Sequence, residues 1–245
     1  GHPWVYDDSI TSVSHEGSSG DLAVVFGRRR EFLAIGLWDP ASPIRLKVLH
    51  HGQPRTIDAA FWSGRIDTAL ARRAPIVDRG DTTGYRLLHG ENDAVPGLVV
   101  DRYGDTLVAK AYTAAWVPHL RDIVPALVDR TGATRMVLRS SRTADLPAPL
   151  DQPVALVGDL PDEPVSFVEH GLRFEADVVH GQKTGHFLDQ RDNRVRVGRA
   201  TQGADVLDVF ACTGGFSVHA AAGGAASVTS VDLSEAALAT AVRNM

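Results

Sequence analysis

The chain has 245 residues, a formal charge of −5, 44% hydrophobic and 22% charged positions. That composition suits a water-soluble protein with one large core or two to three small ones. No run of about 18 apolar residues occurs, so no spanning helix is expected; a single cysteine, Cys212, excludes an internal disulfide and a paired-cysteine zinc site.

Residues 1–50 read as short strands. Leu22–Phe26, Phe32–Trp38 and Ile44–Leu49 are rich in β-formers, with a Gly27–Glu31 turn and Pro40 and Pro43 between them. Their close spacing predicts a small barrel. Ile57–Arg73 reads as a helix with Ala60, Phe61, Ile66 and Leu70 on one face, stopped by Pro75. Residues 84–112 read as a hairpin, with Tyr103-Gly104-Asp105 turning between Leu98–Arg102 and Thr106–Lys110. His119–Thr131 is a helix ended by Gly132, and Met136–Arg139 a strand. Residues 143–164 are rich in Pro and Asp and read as loop or linker. Strand–helix–strand alternation is expected after Phe167. Gly1–Tyr6 has no basic n-region or apolar h-region, and so reads as no signal peptide. A first residue other than Met, and a helical pattern over Ser234–Val242 with no stop signal, suggest a piece of a longer protein.

The most informative stretch is 180–235. Val206–Phe210 is an apolar strand holding Asp208. Ala211–Gly215 is a small-residue loop, and Phe216–Ala222 opens a helix. A second strand, Ala226–Val231, ends at Asp232. This is a βαβ unit whose glycine loop lets a ligand approach the backbone, and whose second acid can accept from ribose hydroxyls. Phe210 stands where a dinucleotide fingerprint needs its first glycine. An acid at Asp208 suits a cationic ligand better than a diphosphate. S-adenosylmethionine (SAM) carries an ammonium and a sulfonium and no phosphate, so the residues favour it over NAD. A tight turn without a ligand is the plainer alternative. Upstream, Asp189-Gln190-Arg191 reads as a helix start with Asp189 as N-cap.

These residues resemble a known family. Asp208-Val-Phe-Ala-Cys-Thr-Gly-Gly-Phe-Ser, preceded by His180-Gly-Gln-Lys-Thr-Gly-His-Phe-Leu-Asp-Gln-Arg-Asp-Asn-Arg194, is similar to bacterial SAM-dependent 23S ribosomal RNA (cytosine-C5) methyltransferases. The likeness extends to His2–Tyr6, Gly20-Asp21, Ser42–Arg45 and Gly90–Gly104. It also covers Val168-Glu169-His170-Gly171, where Val168 replaces the first glutamate of a Glu-Glu-His signature. The resemblance implies an α/β protein with three parts: a PUA-like barrel over 1–74, a central α/β domain over 75–165, and the first half of a Rossmann-like methyltransferase domain from 166. It implies transfer of a methyl group to C5 of a cytosine in ribosomal RNA, in the cytoplasm. No membrane partner is implied, and a homodimer is a candidate assembly. Phe187, Asp189, Arg191, Asp208, Phe210, Cys212, Thr213, Gly214, Asp232 and Leu233 are the expected cofactor residues. Arg28, Arg29, Arg30, Arg45 and Lys47 are the expected RNA contacts. The family's Asp-Pro-Pro motif and the nucleophilic cysteine after it do not occur here, so this stretch alone is expected to be inactive.

Other residues carry weaker signals. Cytosine C5 chemistry needs a thiolate that adds at C6. Cys212 is the only thiol, yet its place in the cofactor loop argues for packing. His50-His51 and the pair His180 and His186 lack the spacing and carboxylate of a metal site, so none is expected. Arg28–Arg30 suits RNA phosphates and a solvated turn alike. Trp4 reads as core. The rival functions are a non-catalytic RNA-binding protein on the same scaffold and a nicotinamide-dependent oxidoreductase.

Overall fold

The computed structural model describes residues 2–141 and 144–245. The chain divides into two compact units: Gly1–Arg73, Leu87–Val100 and Ala109–Gly158 in the first, Ala74–Arg86, Asp101–Val108 and Asp159–Met245 in the second.

The first unit begins with an antiparallel sheet in the order β1 (Trp4–Val5), β4 (Leu46–His51), β3 (Phe32–Trp38), β2 (Leu22–Phe26). β1 and β2 are its two edges, so the expected small barrel is an open four-stranded sheet. Its inner face gathers Ala34, Leu46 and Val48, with Val5, Ala23, Val25 and Trp38 packed around them. Trp4 is only half-buried and donates its indole N–H to Glu91 (3.0 Å), because an edge strand of two residues cannot bury so large a ring.

Helix α1 (Ala59–Val77) buries Phe61, Trp62, Ile66 and Ala69. The buried face is thus rotated from the expected one, since Ala60 is exposed. Pro75 does not stop the helix. It sits in the last turn, where few later amides depend on its surroundings, and Asp78 still donates to Ala74. The Trp62 and Trp116 rings meet at 5.3 Å, and the Trp116 indole donates to the Pro96 carbonyl (2.8 Å). Helix α2 (Leu120–Thr131) ends on Gly132 at φ +64, as expected.

Strands β5 (Gly84–His89), β6 (Leu98–Tyr103), β7 (Thr106–Ala111), β8 (Arg135–Ser140) and β9 (Val154–Val157) form a five-stranded sheet in that order. β9 lies inside the stretch read as linker, whose first residue, Thr143, is outside the described residues. Four residues between Pro153 and Gly158 were too few to show a strand pattern; pairing with β8 makes the strand.

In the second unit, β10 (Val165–Glu169) and β11 (Leu172–Ala176) form an antiparallel hairpin, so strand–helix alternation begins later than expected. Helix α3 (Arg191–Arg199) follows, then β12 (Asp205–Val209), α4 (Gly215–Ala222), β13 (Ser227–Val231) and α5 (Glu235–Asn244). β12 and β13 pair in parallel, the βαβ unit read from the sequence. Phe167 stacks on Phe174 (5.5 Å), and Tyr103 meets Phe167 edge-on (5.2 Å). Helices α3 and α4 pack closely because Gly198 and Gly223 bring backbone against backbone. A Cβ on Gly198 would lie 2.5 Å from the His219 carbonyl oxygen, and one on Gly223 would lie 1.9 Å from that of Gly198.

Gly198→Ala should therefore force α3 from α4 and cost about 1–3 kcal/mol, as overpacked sites do. Gly64→Ala, in the middle of α1 with nothing within 4 Å of a new Cβ, should instead stabilise by about 1 kcal/mol. Opposite shifts in thermal unfolding midpoint check both; equal shifts would show that crowding at α3 is not the cause.

Candidate cofactor site

A cavity of about 380 Å³ opens in the second unit, within the range of small-molecule sites. One wall is the 182–194 segment, through Gln182, His186, Phe187, Gln190 and Arg194. The other runs from Phe210 through the glycine loop to Phe216, with Asp232 and Leu233 at the end of β13.

The glycine-loop wall is built locally. Ala211 donates to Val231, and Cys212 N–H donates to Asp232 Oδ2 (2.8 Å), so loop and strand end are one unit. Ser234 N–H donates to Asp232 Oδ1 (2.9 Å). These amides, with that of Leu233, hold the Asp232 carboxyl below its ordinary pKa. Each oxygen keeps a second lone pair for an incoming hydroxyl. Phe210 (81% exposed) and Leu233 (98%) flank the acid as bare apolar faces. Phe210 and Cys212 both hold left-handed backbone, φ 64° and 49°. Cys212 is half-buried, and burial pushes its thiol pKa up, opposite to an activated nucleophile.

The opposite wall is held from behind. Glu169 ends β10 and is fully buried. Arg194 donates to it twice, Nε to Oε1 (2.7 Å) and Nη2 to Oε2 (2.6 Å), while His219 Nε2 lies 3.2 Å from Oε1. Arg194 Nη1 donates to the Phe187 carbonyl (2.9 Å), which fixes that stretch of wall. Burial pushes the Glu169 carboxyl up, but hydrogen bonds from His219 and Arg194 outweigh it and bring it to about 2. His186 is buried and meets Thr213 Oγ1 through Nδ1 (3.0 Å), leaving Nε2 with no partner among the described residues. Burial, then the Arg194 charge, pushes its pKa down to about 3, so the ring is neutral. The stretch before it is locked by Thr184, which donates to buried Asp101 (2.6 Å), and by Tyr103, whose hydroxyl accepts from His186 N–H (3.1 Å).

Of the residues expected at a cofactor, Phe187, Phe210, Cys212, Thr213, Asp232 and Leu233 line this cavity. Four do not. Asp208 accepts from Ser217 Oγ (2.7 Å) on α4, so its charge serves the βαβ unit. Asp189 is exposed in a short 3-10 turn and does not cap; the N-cap of α3 is Gln190, whose side chain accepts from Asn193 (2.9 Å) and caps no backbone amide. Arg191 turns to Asp192 (3.0 Å). Gly214 precedes α4 at φ +76, where a Cβ would lie 2.9 Å from that of Ala241, so it serves packing against α5. Gln182, His186, Gln190, Arg194 and Gly215 were not foreseen. The dense polar run from His180 to Arg194 was the available signal, but nothing local tells which of its side chains turn inward.

Among the expected RNA contacts, Arg28, Arg29 and Arg30 are exposed on the turn between β2 and β3. Arg45 lies 4.0 Å from Asp7. Lys47 is buried: its Nζ donates to Asp39 (2.8 Å) and the Ile44 carbonyl (3.1 Å), and Asp39 also accepts from Thr113. It is spent on the fold and unavailable to RNA. Among the described residues no group of His, Cys, Asp and Glu could hold a metal ion, and no helix is long and apolar enough to cross a membrane.

Comparison with known proteins names the fold. Residues 146–245 match the S-adenosylmethionine-dependent methyltransferase family model, and residues 1–51 match a PUA-like domain. The N-terminal part is thus similar to PUA-like domains and the C-terminal part to SAM-dependent methyltransferases. It is 53% identical, over its whole length, to a ribosomal RNA large subunit methyltransferase of Deinococcus radiodurans, and covers 62% of that protein. It is 35% identical to a ribosomal RNA large subunit methyltransferase I of Pseudoalteromonas translucida, again covering 62% of it. The chain thus spans less than two thirds of these relatives. A Streptococcus mutans structure described as a SAM-dependent methyltransferase shares the fold, with TM-score 0.82 and 21% identity over 99% of this chain and 62% of its own. So does a methyltransferase structure complexed with SAH, with TM-score 0.84 and 21% identity over 99% of this chain and 61% of its own.

The buried ionisable groups should make the second unit lose stability in acid. An unfolded histidine takes its proton near pH 6.5, whereas folded His186 stays neutral to about pH 3. The unfolded state therefore binds more protons in that interval, and stability falls as pH drops through it. Glu169 adds the same effect between its ordinary 4.5 and about 2. Urea midpoints should fall steadily from pH 7 to pH 5. His186→Gln should flatten that slope; an unchanged slope would assign it to other groups.

Proposed function

We propose that this cavity binds SAM and that the whole protein methylates C5 of a cytosine in large-subunit ribosomal RNA. The observation that carries the cofactor reading is Asp232, an anionic carboxylate held by backbone amides at the end of β13, between exposed Phe210 and Leu233. Its free lone pairs suit the ribose diol, and the two apolar faces suit an adenine ring. The unpartnered His186 Nε2 and the Gln182 and Gln190 side chains on the opposite wall suit the polar amino-acid end. SAM, when bound, supplies an electrophilic methyl group. The chain's residues bind and orient it, and burial of His186 and Arg194 keeps that wall rigid and dry.

The RNA substrate is supported by the names of the relatives and by the exposed arginines at the β2–β3 turn. The cytosine-C5 step, with a thiol nucleophile outside this stretch, is supported by the motif likeness. Cys212, with its raised pKa, is a packing residue in this reading. A PUA-like part over 1–74, a central part over 75–165 and a methyltransferase part from 166 belong to the same reading; the family matches themselves run over 1–51 and 146–245. A cytoplasmic location and a homodimer belong to the same proposal.

Tritium from methyl-labelled SAM should enter large-subunit RNA as 5-methylcytidine when a protein of the relatives' full length is supplied. Label in another nucleoside would overturn the C5 assignment, and no label in RNA would overturn the substrate. Asp232→Ala should weaken SAM binding on the order of tenfold or more by calorimetry, the scale of one charged hydrogen bond. Unchanged affinity would remove Asp232 from the site. In a protein of the relatives' full length, Cys212→Ala should still form a covalent adduct with RNA carrying 5-fluorocytosine, since fluorine replaces the proton that must leave C5. Loss of the adduct in a folded, SAM-binding variant would make Cys212 the nucleophile.

A further inference from the structure

The first unit contains a second hollow, of about 300 Å³, that shares no residue with the cofactor cavity. His50 and His51 reach it from the end of β4, Arg65 from α1 and Glu91 from the turn after β5; Pro3 and Pro96 close it with apolar surface.

Its electrostatics are unbalanced. Arg65 is half-buried, lies 4.9 Å from the Phe61 ring centroid, and donates to the Leu49 carbonyl (2.8 Å). Arg55 lies over the same ring at 5.2 Å. Neither guanidinium pairs with a carboxylate among the described residues. Burial, then the charges of Arg55 and Arg72, disfavours the charged form of Arg65. Arg72 is itself bound to Asp93 (2.9 Å), so the unanswered positive charge belongs to Arg55 and Arg65. Two like charges held over one buried ring repel, and an arriving anion relieves that cost.

A simple anion does not explain the rest of the lining. Glu91 would repel it, and Glu91 is held in place by the Trp4 indole N–H (3.0 Å). His50 Nε2 contacts the Gln53 carbonyl (3.0 Å), which orients its ring as well. The occupant must present an anion to Arg65, whose charge Arg55 reinforces from outside the lining, hydrogen-bond donors to Glu91, and flat or polar surface to the imidazoles. A nucleotide has all three: a phosphate, ribose hydroxyls or base amines, and a ring. The volume admits one such unit, and a concave site of this size excludes a duplex. We propose that this hollow binds one nucleotide of single-stranded RNA, with its phosphate against Arg65, in the field of neighbouring Arg55, and a hydroxyl or amine donated to Glu91. The proposal rests on the reading of the substrate as RNA. It adds a second point of contact, in the first unit, to the transfer site in the second.

The test is fluorescence anisotropy of a labelled eight-nucleotide single-stranded RNA, and of the same DNA sequence, over a range of salt, with the whole chain. Arg65→Gln should weaken RNA binding about tenfold and reduce the log–log salt slope by about one, the signature of a lost phosphate contact. Arg55→Gln, at an exposed position where folding is not at stake, should reduce the slope likewise. Glu91→Gln should narrow the preference for RNA over DNA, because the 2′-hydroxyl is the donor that DNA lacks. Wild-type affinity and slope in both arginine variants would overturn the site while leaving the RNA reading intact. No RNA binding by the wild type would overturn both. A polyglutamate peptide that displaces the RNA, with Glu91→Gln tightening both, would make this a general anion site and end the nucleotide assignment.

Discussion

The second unit is organised around one buried charge. Glu169 has no exposed surface, and it answers Arg194 through two hydrogen bonds and His219 through a third contact. Those three residues sit on β10, α3 and α4, so a single carboxylate ties the hairpin to both helices. Taking such a pair out of water is costly, and removing one partner typically costs about 3–5 kcal/mol because the other is left unpaired. The value of the cluster is therefore geometric. Arg194, fixed at Glu169, has one nitrogen left, and it goes to the Phe187 carbonyl on the cavity wall.

A second network holds the same wall from its other end. Asp101 is fully buried and accepts from Arg86 (2.9 and 3.0 Å) and from Thr184 (2.6 Å). Tyr103 then accepts from the amide of His186. Burial raises the Tyr103 phenol out of the titrating range, so this bond stays neutral. Between Thr184 and Phe187 the chain forms neither helix nor strand, and these two anchors do the work that a strand ladder does elsewhere.

The facing wall needs no such support. Cys212 N–H meets Asp232 across a tight loop, and the loop's positive-φ residues, Phe210 and Cys212, sit beside the cavity itself. Non-glycine residues held in that backbone region cost energy and persist where the surroundings over-determine them. The local hydrogen bonds from Ala211 and Cys212 supply that constraint.

The βαβ unit, its glycine loop, Asp232, and the strands at Leu22–Phe26 and Phe32–Trp38 were legible in the sequence. Each depends on local period and on turn residues a few positions apart. The same holds for the helix closed by Gly132. Local pattern misled where partners are distant. Lys47 has the composition of an RNA contact, but Asp39 and the strand pairing of β3 with β4 turn it inward. Asp208 has the place of a cofactor ligand, but Ser217 claims it. Strand β9 is invisible until β8 lies beside it. The inward face of the 182–194 segment, and the meeting of Arg65, His50 and Glu91 around one hollow, join residues far apart in the chain. The sequence by itself determined the elements and the ligand class of one loop. Only the tertiary structure decided which charges are buried and which remain free to bind, because that depends on long-range packing and desolvation that no local window contains.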